Sequence, residues 1–208
     1  MSSIEYRIAS VDDAAAMADI YAPYVRDTII SFETEAPVAA DMAPRIARIG
    51  SQYPWLAASA DGAVIGYAYA CENRSRAAYR WSVDAGIYLD RSAQRRGIGR
   101  ALYRRLFSLL RAQGYVNAFA GITLPNDASV GLHEAMGFAL TGVYRNIGYK
   151  FGAWHDVGWW QLVLAGTWPE NPREPLPFGD LDRAFVASVL AGTDRAATAG
   201  ARYDELSP

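Results

Sequence analysis

The chain has 208 residues, 51% of them apolar, and a formal net charge of −2, which allows one substantial core and excludes a surface broadly built for nucleic acid or membrane. A single cysteine, Cys71, excludes an internal disulfide, and two histidines, His133 and His155, with no HExxH or CxxC spacing, leave too few ligands for a zinc centre. The N-terminus has no basic stretch followed by an apolar run, and no segment is apolar over the roughly 20 residues a bilayer span needs, so the expectation is a soluble, cytoplasmic, reduced protein without a metal.

Alternation in IEYRIA, 4–9, predicts an opening strand, and Ser10 followed by Asp13 has the form of a helix start with an acidic first turn. A helix through about Val25 follows. Ile29 to Glu35 reads as a loop carrying Phe32, and 42–50 as a short amphipathic helix. WLAAS (55–59) and VIGYAYA (64–70) flank Ala60, Asp61 and Gly62, a hairpin signal, and the next strand runs from Trp81 to Leu89. DRSAQRRGIGR then leads into a long helix with Leu102, Leu106, Leu109 and Leu110 on one face and Gly114 as its stop. Ala118 to Thr123 is a further strand. LPND breaks it, Asp127 is a candidate cap for a helix through Met136, and Gly137 closes that helix. Thr141 to Leu164 reads as two antiparallel strands joined around Lys150 to Asp156.

Helices among mostly antiparallel strands, with one strand-helix-strand unit in the middle, predict an α+β domain with a mixed sheet over residues 1–165. Residues 166–208 form an extension. Its spaced prolines, Pro169, Pro172, Pro175 and Pro177, predict an extended connector, and Asp180 to Leu190 predicts a short helix docked on the body or on a partner chain. The last dozen residues, small and polar, read as disordered.

All basic residues but Lys150 are arginine, and Arg91, Arg95, Arg96, Arg100, Arg104, Arg105 and Arg111 crowd one window bordered only by Asp90. Within it, Gln94 Arg95 Arg96 Gly97 Ile98 Gly99 Arg100 joins a strand to the long helix. Two glycines at that junction let backbone approach a bulky anion, and the N–H groups of the helix start supply fixed donors, so phosphate is the natural guest. It is neither a dinucleotide fingerprint, since Leu102 stands at the third glycine position, nor a P-loop, since no GK[ST] follows.

QRRGIG resembles the acetyl-CoA motif Q/R-x-x-G-x-G/A of the GNAT acetyltransferase superfamily, and Asn126, Ser129, His133, Gly137 and Phe138 resemble its following motif, with His133 where a tyrosine is usual. FETE (32–35), YPWL (53–56), LPND-S-LHEAMGF (124–138) and GYKFGAWHDVGWWQL (148–162) are similar to the phosphinothricin and methionine sulfone or sulfoximine N-acetyltransferases, over roughly residues 4–165. The resemblance implies a mixed, mostly antiparallel, splayed central sheet flanked by helices, with acetyl-CoA entering between two diverging strands. Ile87, Tyr88 and Leu89 would pair with the pantetheine arm. Arg95, Arg96, Gly97, Ile98, Gly99 and Arg100 would hold the pyrophosphate, and Asn126 would meet the pantetheine or thiol end. A homodimer is implied by the resemblance alone.

An amine acceptor is protonated at neutral pH, so aminolysis needs a base for its proton and an acid, or an equivalent, for the leaving thiolate. Asp84 occupies the position where the resembling family carries a glutamate proposed as base, one methylene shorter here. His133 stands where the superfamily keeps its thiolate-protonating tyrosine, and its imidazole titrates near neutrality. Both are the candidate catalytic residues. A Ser129–His133 nucleophilic pair lacks a third orienting group and is set aside, and His155 beside Asp156 reads as structural. Phe32, Arg76 and Tyr79 align with the family's amino-acid pocket, where a guanidinium would fork onto an α-carboxylate between aromatic walls. The expected activity is acetyl transfer from acetyl-CoA to the α-amino group of a small L-amino-acid analogue. Alternatives are another amine acceptor, such as a peptide N-terminus, polyamine or aminoglycoside, or a non-catalytic CoA-binding protein. RNA binding ranks low, since no stacking aromatics interleave with the arginines.

Overall fold

The computed structural model describes residues 3–194. Seven strands form one sheet: β1 (Ile4–Ile8), β2 (Trp55–Ala60), β3 (Ala63–Glu72), β4 (Ser82–Leu89), β5 (Asn117–Leu124), β6 (Ala139–Lys150) and β7 (Ala153–Val163). Five helices accompany them: α1 (Ala14–Arg26), α2 (Ala39–Gly50), α3 (Ile98–Gln113), α4 (Asp127–Ala135) and α5 (Arg183–Ala191). The strand order is β1-β2-β3-β4-β5-β7-β6, with every neighbouring pair antiparallel except β4 and β5. That exception is the predicted strand-helix-strand unit, with α3 as its crossover, and the α+β class with a mixed sheet is the architecture found.

The alternation of the strands divides the core. Leu56, Ala68, Ala70 and Val83 meet Leu102, Leu106, Leu109 and Leu110 of α3 on one face, while Trp55, Ala57 and Tyr67 meet Met17, Val25, Met42 and Ile46 of α1 and α2 on the other. Ser10 opens the first helical segment as expected. Its hydroxyl accepts the Asp12 N–H, and Asp13 accepts the Ser10 N–H at 2.8 Å while forking onto Arg7. Arg7 thereby holds the Asp13 carboxyl below the usual carboxylate range. Two boundaries differ from expectation. α2 begins at Ala39, three residues before Met42, because the Asp41 carboxylate accepts the Val38 N–H. α4 is capped by Asn126, whose Oδ1 accepts the Ser129 N–H at 3.2 Å, so Asp127 is its first helical residue and not its cap.

The extension lies against the body. α5, capped by Asp182, buries Val189 on the α3 side, and Arg105 Nε donates to the Leu190 carbonyl at 2.9 Å. The predicted terminal disorder lies outside the described residues. Among the described residues no helix is long and apolar enough to cross a membrane, and no group of three or more His, Cys, Asp or Glu side chains gathers as for a metal ion.

Candidate active site

The parallel pairing of β4 and β5 covers only Ser82 with Asn117, Val83 with Ala118 and Asp84 with Phe119. Beyond Asp84 the two strands diverge. β4 stays paired with β3 as far as Leu89, and β5 stays paired with β7 as far as Leu124, so each keeps one hydrogen-bonding edge satisfied and leaves the other open. The Asp90 N–H donates to Ile65 on β3. By alternation, Tyr88 and Gly86 also turn their backbone groups to β3, and Leu89, Ile87 and Ala85 turn theirs into the opening. Ile87 and Leu89 therefore present strand-like groups to a guest there, whereas Tyr88 contributes through its ring, which packs edge-on against Tyr21 and Tyr24. One opening-side acceptor is already used: the Tyr24 hydroxyl donates to the Leu89 carbonyl at 2.6 Å.

The glycine turn closes one end of this opening. Gln94 to Gly97 are exposed, and Ile98 and Gly99 are buried as α3 begins. Arg95 and Gly97 both adopt the left-handed region, at φ of 59° and 78°, and a Cβ at Gly97 would meet nothing within 4 Å. Gly99 is the close-approach glycine, since a Cβ there would lie 3.4 Å from both Ile87 and Leu132. The arginine cluster divides by task. Arg105 sits 3.9 Å over the Tyr6 ring, Arg111 Nε donates to the Leu164 carbonyl, Arg91 pairs with Asp27, and Arg100 reaches the Ala135 carbonyl at 3.3 Å. Arg95, Arg96 and, further along α3, the exposed Arg104 have no protein partner among the described residues, so part of the charge left for an anion lies in the turn itself.

Asp84 lies at the apex of the opening, the last residue of the paired segment. Its Oδ1 accepts from Asn73 Nδ2 at 2.5 Å, and Oδ2 has no partner among the described residues. Burial pushes its carboxyl up to about 6, against the weaker opposing effects of the Asn73 hydrogen bond and the nearby Arg74 charge. A carboxylate so tuned is a competent proton acceptor near neutrality. Its cross-strand neighbour Cys71 is pushed up to about 11, first by burial and then by the Asp84 charge, so it stays a thiol.

His133 has a different environment. It is 3% exposed, Nδ1 donates to the Ser129 carbonyl at 2.8 Å, and Nε2 accepts from the Tyr103 hydroxyl at 2.9 Å. Its ring meets Phe138 edge-on, and burial holds its pKa below the ordinary histidine range. Both nitrogens are committed and the ring is neutral. Through the Tyr103 contact the ring ties α4 to α3. The Asn126 amide, by contrast, lines an open cavity of about 670 Å³ at the end of β5, with Arg145, Trp154 and His155 across from it.

The acceptor candidates lie on two loops. Arg76 and the half-exposed Tyr79 flank a 3₁₀ turn, Ala77–Tyr79, in the connection whose first residue after β3, Asn73, holds Asp84. Phe32 lies in the α1–α2 connection, so close over Gly148 of β6 that a Cβ there would fall 2.1 Å from its ring. That connection is pinned by residues the sequence reading missed. Lys150 Nζ donates to the carbonyls of Val25 and Ser31 at 2.6 Å each, and Arg45 forks onto Glu33 at 2.7 and 3.0 Å. Glu33 and Arg45 wall a cavity of about 240 Å³ with Tyr21, Tyr69 and Cys71. The FETE string carries Glu33, but nothing in its spacing pointed to Arg45 or Lys150. His155 Nε2 donates to the Lys150 carbonyl at 2.9 Å across the β6–β7 turn.

Comparison with known proteins agrees with this geometry. Residues 6–159 match the acetyltransferase (GNAT) domain model. The chain is 40% identical over 173 residues to the phosphinothricin N-acetyltransferase of Streptomyces viridochromogenes, covering 83% of this chain and 94% of that one. It is 36% identical over 170 residues to the L-methionine sulfoximine/L-methionine sulfone acetyltransferase of Pseudomonas aeruginosa, covering 79% and 97%. The crystal structure of a GNAT superfamily phosphinothricin acetyltransferase from Sinorhizobium meliloti in complex with AcCoA superposes with a TM-score of 0.78 at 36% identity, over 84% of this chain and 95% of that one. A sheet that parts beyond Asp84, a left-handed glycine turn at the head of α3, and relatives of this identity and coverage together make the chain a GNAT-family N-acetyltransferase, grouped with the phosphinothricin and methionine sulfoximine/sulfone acetyltransferases.

Proposed function

We propose that the protein transfers the acetyl group of acetyl-CoA to the α-amino group of a small L-amino-acid analogue such as phosphinothricin, methionine sulfoximine or methionine sulfone. The observation that carries this reading is the parting of β4 and β5 beyond Asp84, with open backbone edges and a carboxylate tuned toward neutrality at its apex. The residues present fit the cosubstrate. Ile87 and Leu89 would align the pantetheine arm as an added strand, and the backbone from Gly97 to Gly99 with Arg95 and Arg96 would meet the pyrophosphate. Acetyl-CoA, when bound, supplies an activated thioester. Asp84 takes the proton of the acceptor ammonium, directly or through one water that spans its short side chain, and frees the nitrogen lone pair for attack. Backbone N–H groups of β4 in the opening stabilise the negative charge that grows on the carbonyl oxygen. Asn126, whose side-chain oxygen is committed to its cap, would meet the pantetheine or thiol end through its amide N–H, and His133 ties the α4 that Asn126 caps to α3. Arg76 forks onto the acceptor α-carboxylate while Phe32 and Tyr79 exclude water.

Purified protein incubated with acetyl-CoA and a panel of amines, with release of free thiol monitored, tests the reading. Turnover is expected with phosphinothricin or methionine sulfone and not with peptides or polyamines. Binding of acetyl-CoA without turnover on any amine would overturn it. Arg76→Ala is expected to raise the acceptor KM by about 10- to 100-fold, the loss of a charge-assisted fork, and to leave the acetyl-CoA KM within about twofold.

The same reading includes a homodimer formed through the β6–β7 hairpin. Tyr149, Phe151 and Trp154 cluster near its turn at about 60% exposure, with Ile147 beside them, a contiguous apolar surface of the kind that seeks a partner. Sedimentation equilibrium is expected to give twice the chain mass, and Trp154→Arg to give the monomer.

A further inference from the structure

We propose that the segment following β7, residues 164–178, is a strap that positions the acceptor-binding connection between β3 and β4, with Glu174 and Trp81 as its positioning residues. The proposal rests on the reading above that Arg76 and Tyr79 hold the acceptor. The strap lies beyond residues 6–159, the part that matches the GNAT domain.

The strap is itself firmly held. Leu176 exchanges two hydrogen bonds with Gln113 at the end of α3: its N–H donates to the Gln113 carbonyl at 2.8 Å, and its carbonyl accepts from Gln113 Nε2 at 2.7 Å. Gln113 is fully buried, and the same Nε2 reaches the Gln52 carbonyl at 2.8 Å. Phe178 N–H donates to that Gln52 carbonyl, and Arg173 Nη2 caps the last turn of α3 through the Ala112 carbonyl at 2.8 Å. Bonds to the buried Gln113 at the end of α3 and to the half-buried Gln52 in the loop after α2 give this short stretch a fixed place that its prolines alone would not.

From that place it reaches β5 at one point and the connection at two. Trp168 Nε1 donates to Asn117 Oδ1 at 3.2 Å, at the base of the β4–β5 pair. Trp81 Nε1 donates to the Arg173 carbonyl at 2.7 Å. Glu174 pairs with Arg80 at 2.7 Å, and Arg80 Nε donates in turn to the Ala77 carbonyl at 2.7 Å with its guanidinium 5.1 Å over the Trp81 ring. Ala77 begins the 3₁₀ turn that carries Tyr79 and is preceded by Arg76. The contacts therefore run without a gap from Glu174 through Arg80 to the turn between the two acceptor residues. The other end of the connection is tied by Asn73 to Asp84. An exposed connection of some nine residues is thus held at both ends, and its distal tether is supplied by chain outside the domain.

The test uses the full-length protein carrying Glu174→Ala or Trp81→Phe, which keep the anchors at Gln113 and Gln52. Each variant is expected to raise the acceptor KM by about two- to tenfold, the range for losing one exposed ion pair or one hydrogen bond, with the acetyl-CoA KM unchanged. Amide exchange in 73–81 is expected to quicken while that in 95–100 does not. Glu174→Asp, which keeps a carboxylate for Arg80 and leaves the Arg80 bond to the Ala77 carbonyl in place, is expected to stay nearer the wild-type acceptor KM than Glu174→Ala. Unaltered acceptor KM and exchange in both variants would overturn the proposal, as would an equal rise in both KM values. The exchange readout needs no substrate: quickened exchange in 73–81 in a protein that acetylates none of the amino-acid analogues would sink the acceptor reading and leave the tether standing.

Discussion

Asp84→Asn should lower kcat/KM for the acceptor by about 10²- to 10⁴-fold, the usual contribution of a positioned general base, while acetyl-CoA still binds. The amide keeps the oxygen that accepts from Asn73, so the replacement removes the charge and little else. For the wild type, the active form is the carboxylate, and the rate should fall as pH drops through about 6. The variant's residual rate should be flat there. Stability should move the opposite way. Burial raises the folded-state pKa from 3.8 to about 6, so the side chain's favourable contribution is complete below the unfolded value and is lost as pH rises through about 6. At pH 8 the wild type therefore bears the cost of a buried carboxylate, on the order of 2 to 3 kcal/mol for a shift of about two units. Asp84→Asn should be more stable by up to about that amount at pH 8 and indistinguishable near pH 3, as read by urea unfolding. A base that is expensive to keep ionised, yet present, is the pattern of a functional carboxylate. A variant that lost stability at pH 8 and retained its rate would make Asp84 a structural residue.

Gly97→Val should raise the acetyl-CoA KM by about tenfold or more and leave the acceptor KM near wild type. Space is not the obstacle, since a Cβ would meet nothing within 4 Å. The obstacle is φ of 78°, which costs an L-residue about 1–2 kcal/mol and a β-branched one more. The turn would relax toward negative φ and withdraw N–H groups from the proposed pyrophosphate position. Arg95, two residues earlier in the same turn, is already left-handed at 59°, which leaves the turn little slack to absorb the change. Gly99→Ala offers a contrast: its Cβ would sit at ordinary contact distance from Ile87 and Leu132, and the effect should be small. Isothermal titration with acetyl-CoA separates the two. Equal binding by Gly97→Val and the wild type would remove the turn from the site.

Much of this was visible in the amino-acid order because it depends on local chemistry. Ser10 with Asp13, the Asp61-Gly62 turn, the leucine face from Leu102 to Leu110, and Gly97 at the head of a helix each act within one turn or one hairpin. The motif strings from Phe32 to Leu162 carried the family as well, since they are the local patches that build the opening. Less legible are residues whose surroundings come from far along the chain. His133 looks like a titrating group on a helix, but its character is set by Tyr103 and Phe138, which only packing brings around it. The arginine window looks like one patch, yet Arg105 and Arg111 are spent on Tyr6, Leu190 and Leu164, while Arg95 and Arg96 in the turn and Arg104 on α3 have no protein partner among the described residues.

What the sequence determined by itself is the set of elements, the α+β class and the glycine turn, because periodicity, capping and backbone freedom act between near neighbours. The tertiary structure decided where β4 and β5 part, how far burial lifts Asp84 toward neutrality, and that the extension lies along the end of α3. These depend on desolvation and on contacts between residues tens of positions apart, such as Gln113 with Leu176 and Trp81 with Arg173. Such contacts exist only once the chain has closed on itself.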